Sequence, residues 1–175
     1  GNTRYSHSDN EALSKSQRQN FLPGDSSSYE NTQATSRTKN DNFGVDFRME
    51  WKPDTLTQIL FRPSFNLSHS MSDSYTDATT LDNARDTVNT NRTVNHTEND
   101  GYRLNASLEF SRKLNSRGRV FSASISGGNS HSESDGANRS DLEYFNQANA
   151  MRNQVIDQQS NYKNNGFNYR LYLSW

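Results

Sequence analysis

Along residues 42–67, "NFGVDFRMEWKPDTLTQILFRPSFNL", apolar side chains return at every second position on both sides of a short polar break. Phe43, Val45, Phe47, Met49 and Trp51 share one parity; Gly44, Asp46, Arg48 and Glu50 share the other. Successive side chains of an extended chain point to opposite sides, so this beat predicts a strand with one oily and one wet face. The break "KPDT" is turn chemistry, because Pro53 presets φ and Asp54 can bond the backbone ahead of it. Beyond it Ile59, Phe61, Phe65, Leu67 and Met71 oppose Gln58, Arg62, Ser64, Asn66, Ser68 and Ser70. Leu60 falls out of phase, and Pro63 marks a strand edge or bulge.

The same unit recurs. Tyr102, Leu104, Ala106, Leu108 and Phe110 alternate with Arg103, Asn105, Ser107, Glu109 and Ser111. The polar turn "KLNSRGR" then leads into Phe121, Ala123 and Ile125, and Gly127-Gly128 marks a bend. Phe167, Tyr169, Leu171, Leu173 and Trp175 form a last apolar row. The expectation is an all-β chain of about five to six antiparallel up-and-down strands, the sixth a fragment at "NTRYSHS". Hairpins fall at about 42–72 and 101–128, and a final strand at about 162–175. Residues 9–41, 73–100 and 129–161, rich in Asn, Ser, Asp and Thr, read as long polar loops. Within the last of these, "DLEYFNQANAMRNQVIDQQ" reads either as a short helix or as a strand extension.

Each apolar row covers about nine to eleven residues, the length a tilted strand needs to cross a hydrocarbon layer. Trp51 and Trp175 sit at strand ends next to turns, where an aromatic belt lies. Short turns at one end and long loops at the other match a transmembrane β-barrel segment. On that reading Phe43, Phe47, Trp51, Phe61, Phe65, Leu108, Phe110, Tyr169, Leu171 and Trp175 face lipid or the aromatic belt. Asp46, Arg48, Glu50, Arg62, Asn66, Arg103, Asn105, Glu109, Asn168 and Arg170 face the lumen, where they contact a plug or solute or simply pair across strands. A soluble β-sandwich binding module, carbohydrate-binding or adhesin-like, shows the same alternation and is the alternative. The low hydrophobic fraction, 29%, leaves that alternative little core, while 11% aromatics argue against plain disorder.

The hairpin "FRMEWKPDTLTQILFRPSFNLSHS" resembles the Bacteroidetes-type outer-membrane β-barrel family, relatives of TonB-dependent receptors. Glu50-Trp51-Lys52-Pro53-Asp54-Thr55 and Arg62-Pro63-Ser64-Phe65 carry the likeness, and "FSRKLNSRGRVFSASISG" is similar to a second hairpin of that family. The resemblance implies a Gram-negative outer-membrane location, a transport or receptor role, membrane lipid and the rest of a parent barrel and plug as partners, and the TonB system. It also implies an N-terminal carboxypeptidase-regulatory-like domain and a plug, neither found in these residues.

Charge and chemistry narrow the rest. Nineteen Lys+Arg against 20 Asp+Glu, with no basic run, give no footprint for nucleic acid. Without cysteine there is no disulfide, thiolate metal site or cysteine nucleophile. No stretch approaches a membrane-spanning helix, and "GNTRYSHSDNEA" lacks a signal-peptide pattern and an initiating Met, so the chain reads as cut from something longer. Five or six strands cannot close a barrel, so the piece alone should self-associate. His7, His69, His96 and His131 are scattered through loops and strand ends, with no strained nucleophile turn beside them. The acidic groups Asp73, Asp77, Asp82, Asp86 and Glu133, Asp135, Asp141, Glu143 lack calcium-loop spacing. The Asn-x-Ser/Thr triplets are expected from composition. No enzyme, cofactor or metal site is expected.

Overall fold

The computed structural model describes residues 1–22, 26–115, 118–145 and 152–175. These form seven strands: β1 (Asn2–Leu22), β2 (Ser26–Asp46), β3 (Met49–Trp51), β4 (Thr57–Leu81), β5 (Thr87–Lys113), β6 (Val120–Tyr144) and β7 (Arg152–Ser174). They make one antiparallel sheet, ordered β1-β2-β4-β5-β6-β7, in which β3 pairs with β4 on the line continued from β2. The all-β, up-and-down expectation holds at this level.

The long loops do not. Residues 9–41, 73–100 and 129–161 are mostly strand, because the hairpins run on far past their apolar rows. β5 alone has 27 residues, about 90 Å of extended chain. The physical reason lies in cross-strand pairs of short polar side chains. Asn40 donates to Ser8 (3.2 Å), Asn99 to Ser70 (3.2 Å) and Asn95 to Ser74 (3.3 Å). Asn and Ser, usually loop residues, here satisfy one another across the ladder. The stretch 141–159 enters as the ends of β6 and β7, and its middle lies outside the described residues. Gly127 and Gly128 make no bend either: β6 passes straight through them. A Cβ at Gly128 would meet Asn105 Oδ1 at 2.5 Å and Asn168 Oδ1 at 3.1 Å, so its role is to let two flanking side chains close in.

Pro63 does interrupt pairing. β2 ends at Asp46 opposite Ser64, and β3 resumes at Met49 opposite Phe61. Between them Phe47 N–H donates to the Pro63 carbonyl (3.0 Å), but Pro63 has no N–H to return. The Lys52–Leu56 turn is tied by Asp54, which accepts from Leu56 N–H (2.7 Å) and from the Thr57 hydroxyl (3.0 Å). The Leu56 N–H, above all, holds the Asp54 carboxyl below the usual carboxylate range.

No described residue covers the sheet. Among the described residues only Gly44, Thr57 and Leu60 are buried. A single layer has no core.

At Gly118, φ is +91°, the left-handed region that a side chain enters at a cost of about 1–2 kcal/mol. Gly118→Ala should lower the unfolding free energy by about 1 kcal/mol, read from the urea midpoint. Asp54→Ala should shift the midpoint in the same direction by untying the first turn.

Candidate functional site

Paired residues in a sheet project to the same side, so the register sorts every side chain onto one of two faces. On one face lie rows such as Trp51-Ile59-Phe110-Ala123-Leu173, Met49-Phe61-Leu108-Ile125-Leu171 and Phe43-Leu67-Tyr102. All ten residues expected to face lipid or the aromatic belt have the parity of this side. On the other lie Asp46, Arg48, Glu50, Arg62, Asn66, Arg103, Asn105, Glu109, Asn168 and Arg170, all ten of the expected lumen set. Leu60, the out-of-phase residue, sits on this polar side in a hollow with Gln58, Glu109 and Tyr172.

The apolar rows form a band of limited height. From Phe121 to His131 on β6 is about ten residues, roughly 34 Å along a strand and some 25 Å once tilted. Aromatic residues bound it. Trp51, Phe121 and Trp175 lie at the turn end; Tyr5 and Tyr102 lie at the other, where Tyr102 stacks on His131 with ring centroids 5.7 Å apart. The band is exposed: Trp51 at 57%, Leu171 at 64%, Tyr169 at 79%.

On the polar face beside the band, charges largely pair. Arg62 bonds Glu109, Arg4 lies 3.7 Å from Asp46, and Glu50 takes Lys52 (2.9 Å) and Arg48 (3.4 Å). Arg103 and Arg170 have no side-chain partner among the described residues. Cross-strand pairing thus accounts for part of the expected lumen set and leaves two guanidinium groups available.

Above the band its own face, the one that carries the apolar rows, turns ionic at once. His7, Asp41, His69, Asp100, Glu133 and Lys163 stand opposite one another in register, one on each of six strands. His7 Nδ1 is 2.7 Å from Asp41, which also accepts from the Tyr5 hydroxyl (2.8 Å). His69 Nδ1 is 2.8 Å from Asp100, and Lys163 Nζ is 2.6 Å from Glu133. The Asp100 carboxylate holds the His69 imidazolium above its ordinary pKa. Higher still, His96 meets Asp73 (2.6 Å), and Arg37 grips Asp9 through Nε (2.9 Å) and Nη2 (2.6 Å). All four histidines are therefore strand residues on one face, each near an acid, where the sequence placed them in loops or at strand ends. Sequence reasoning passed over this row. Its signal was present as charged residues alternating with Ser, Asn or Thr, as in "HSMSDSYTD".

No family model matches the chain, and no curated protein matches it. Among solved structures it aligns with a chain of the membrane pore complex of pneumolysin determined by cryo-electron microscopy. The alignment covers 96% of this chain and 31% of that one at 7% identity, with a TM-score of 0.13, a likeness that carries no argument about fold or function.

Arg62 and Glu109 are nearly half exposed, so a double-mutant cycle with Arg62→Ala and Glu109→Ala should give a coupling of only about 0.2–1 kcal/mol. Asp9 gives a pH test. Arg37, chiefly by hydrogen bonding, lowers the Asp9 pKa in the folded chain. The stabilisation is therefore fully present above an unfolded value of about 3.9 and fades as pH falls through the lowered folded value. Amide protection, taken relative to the intrinsic exchange rate at each pH, should fall in the upper β1–β2 hairpin below about pH 4, and Asp9→Asn should remove that component of the acid loss.

Proposed function

We propose that the chain is a segment of an outer-membrane β-barrel, similar to TonB-dependent receptors, that works in transport or reception of a solute. The observation that carries this reading is the band: apolar side chains at one height on adjacent strands, bounded by aromatic rows and left uncovered by the described residues. Water is a poor neighbour for such a face, since each Phe, Leu or Ile kept out of an apolar phase forgoes about 1.5–3 kcal/mol. Hydrocarbon about 25 Å deep between two interfaces that favour Trp and Tyr is the environment it fits. The opposite face, with Arg103, Arg170 and paired charges, suits an aqueous interior lined by further strands or a plug. The two sheet edges, β1 and β7, are free to accept strands, as a piece of a larger closed barrel requires.

The absence of cysteine makes a direct test clean. Nitroxide labels on single cysteines at Leu104, Asn105, Leu108 and Glu109 should show period-two accessibility in phosphatidylcholine vesicles. Labels at Leu104 and Leu108 should collide with oxygen, and those at Asn105 and Glu109 with a water-soluble nickel complex. Labels at Leu104 and Leu108 shielded from both reagents would point instead to a second protein layer, the sandwich arrangement. Uniform access to nickel would remove the membrane reading.

A further inference from the structure

Just beyond the band, three donors from two neighbouring strands converge. His69 on β4 stands directly opposite Asp100 on β5, and Glu98 lies two residues along β5 on the same face. One donor atom from each lies within 4.8 Å of the other two, and no other His, Asp or Glu group among the described residues meets that condition. We propose that His69, Glu98 and Asp100 bind one divalent cation of the borderline class that imidazole favours, Zn2+ being the type.

The distances suit it. Zinc bonds of about 2.0–2.2 Å in a tetrahedron set ligand atoms roughly 3.4 Å apart. His69 Nδ1 is 2.8 Å from Asp100 and 3.9 Å from Glu98, values that straddle this spacing, so small side-chain rotations admit the ion. The metal takes the place of the proton that Nδ1 and the Asp100 carboxylate share, and water fills the remaining position.

Electrostatics supply the need for a cation. Across β5 and β6, Asp100 faces Glu133 and Glu98 faces Asp135, two like-charged pairs in direct opposition. Directly opposed like charges destabilise a sheet. Lys163 and Asn161 relieve the β6 side, at Glu133 and Asp135 respectively. On the β5 side His69 alone, among the described residues, approaches Glu98 and Asp100. A divalent ion there turns the repulsion into shared attraction. A groove of about 380 Å³ reaches His69 and Asp100 from the side of Tyr5, Phe43, Leu67 and Tyr102; Glu98 stands outside its lining. The pairs His7–Asp41 and His96–Asp73 have similar hydrogen bonds, but among the described residues neither has a third His, Asp or Glu donor within 4.8 Å. Sequence spacing gave no hint because the donors come from different strands. The site does not depend on the membrane reading.

The test uses the whole chain in detergent micelles with Zn2+ alone as probe, followed by competition with a chromophoric chelator. One ion should bind per chain. His69→Ala and the near-isosteric Glu98→Gln should each weaken binding at least tenfold, with the strand circular-dichroism signal retained, whereas His96→Ala should leave it unchanged. Co2+ should give a visible absorption that His69→Ala abolishes. The proposal is overturned if no saturable binding occurs, if both variants bind Zn2+ as the native chain does, or if equimolar Ca2+ displaces it.

Discussion

A sheet one strand thick has two faces and no interior, and every other property of this molecule follows from that. Backbone hydrogen bonds run from strand to strand through the ladder, apart from the open edges of β1, β3 and β7 and the break at Pro63, so most backbone polar groups are satisfied inside the sheet. The side chains do need one. About twenty large apolar residues stand on one face, and leaving them in water forgoes some tens of kcal/mol in total, more than an ordinary domain's entire stability. Whatever covers that face decides whether the band holds together.

The extensions beyond the band obey a different balance. Both of their faces are wet, and the forces there are the ladder itself plus pairs worth about 0.2–1 kcal/mol each. Charged pairs occupy the side continuous with the band, as in Arg37–Asp9 and His96–Asp73. Neutral Asn–Ser pairs occupy the other, as in Asn99–Ser70. Many weak contacts in a regular register can keep a long hairpin extended. They also make its tip the first part to open, because local unfolding there exposes almost nothing apolar.

Hydropathy alternation was enough to locate strands wherever one face was apolar, hence the clear reading of Phe43 to Trp51 and Tyr102 to Phe110. It failed for Ser26 to Asn42 and for Thr87 to Asp100, because both parities there are hydrophilic and a hydropathy beat vanishes. The alternation persisted in another currency, charged against neutral, as His69, Asp73 and Asp77 against Ser70, Ser74 and Ala78 show. The ionic row was beyond reach for a separate reason. His7 lies 34 residues from Asp41, and His69 lies 31 from Asp100. Only strand register brings such partners together, and register is a property of the pairing of two strands, not of either alone.

The sharp border between Leu67 and His69, and between Tyr102 and Asp100, has a mechanical consequence for the proposed membrane reading. Sliding the sheet by one pleat repeat toward the turn end would carry the row of His7, Asp41, His69, Asp100, Glu133 and Lys163 toward the oil. Charges on a lipid face cost about 0–1 kcal/mol near the interface and about 2–4 kcal/mol at the midplane, so six groups resist the shift steeply. Sliding the other way would lift Tyr102, Phe43 and Leu67 into water, at about 25 cal/mol for each Å² of apolar surface exposed. The two penalties act in opposite directions from adjacent rows. Together they set the height of the band to within about one pleat, which neither the apolar row nor the ionic row would do alone.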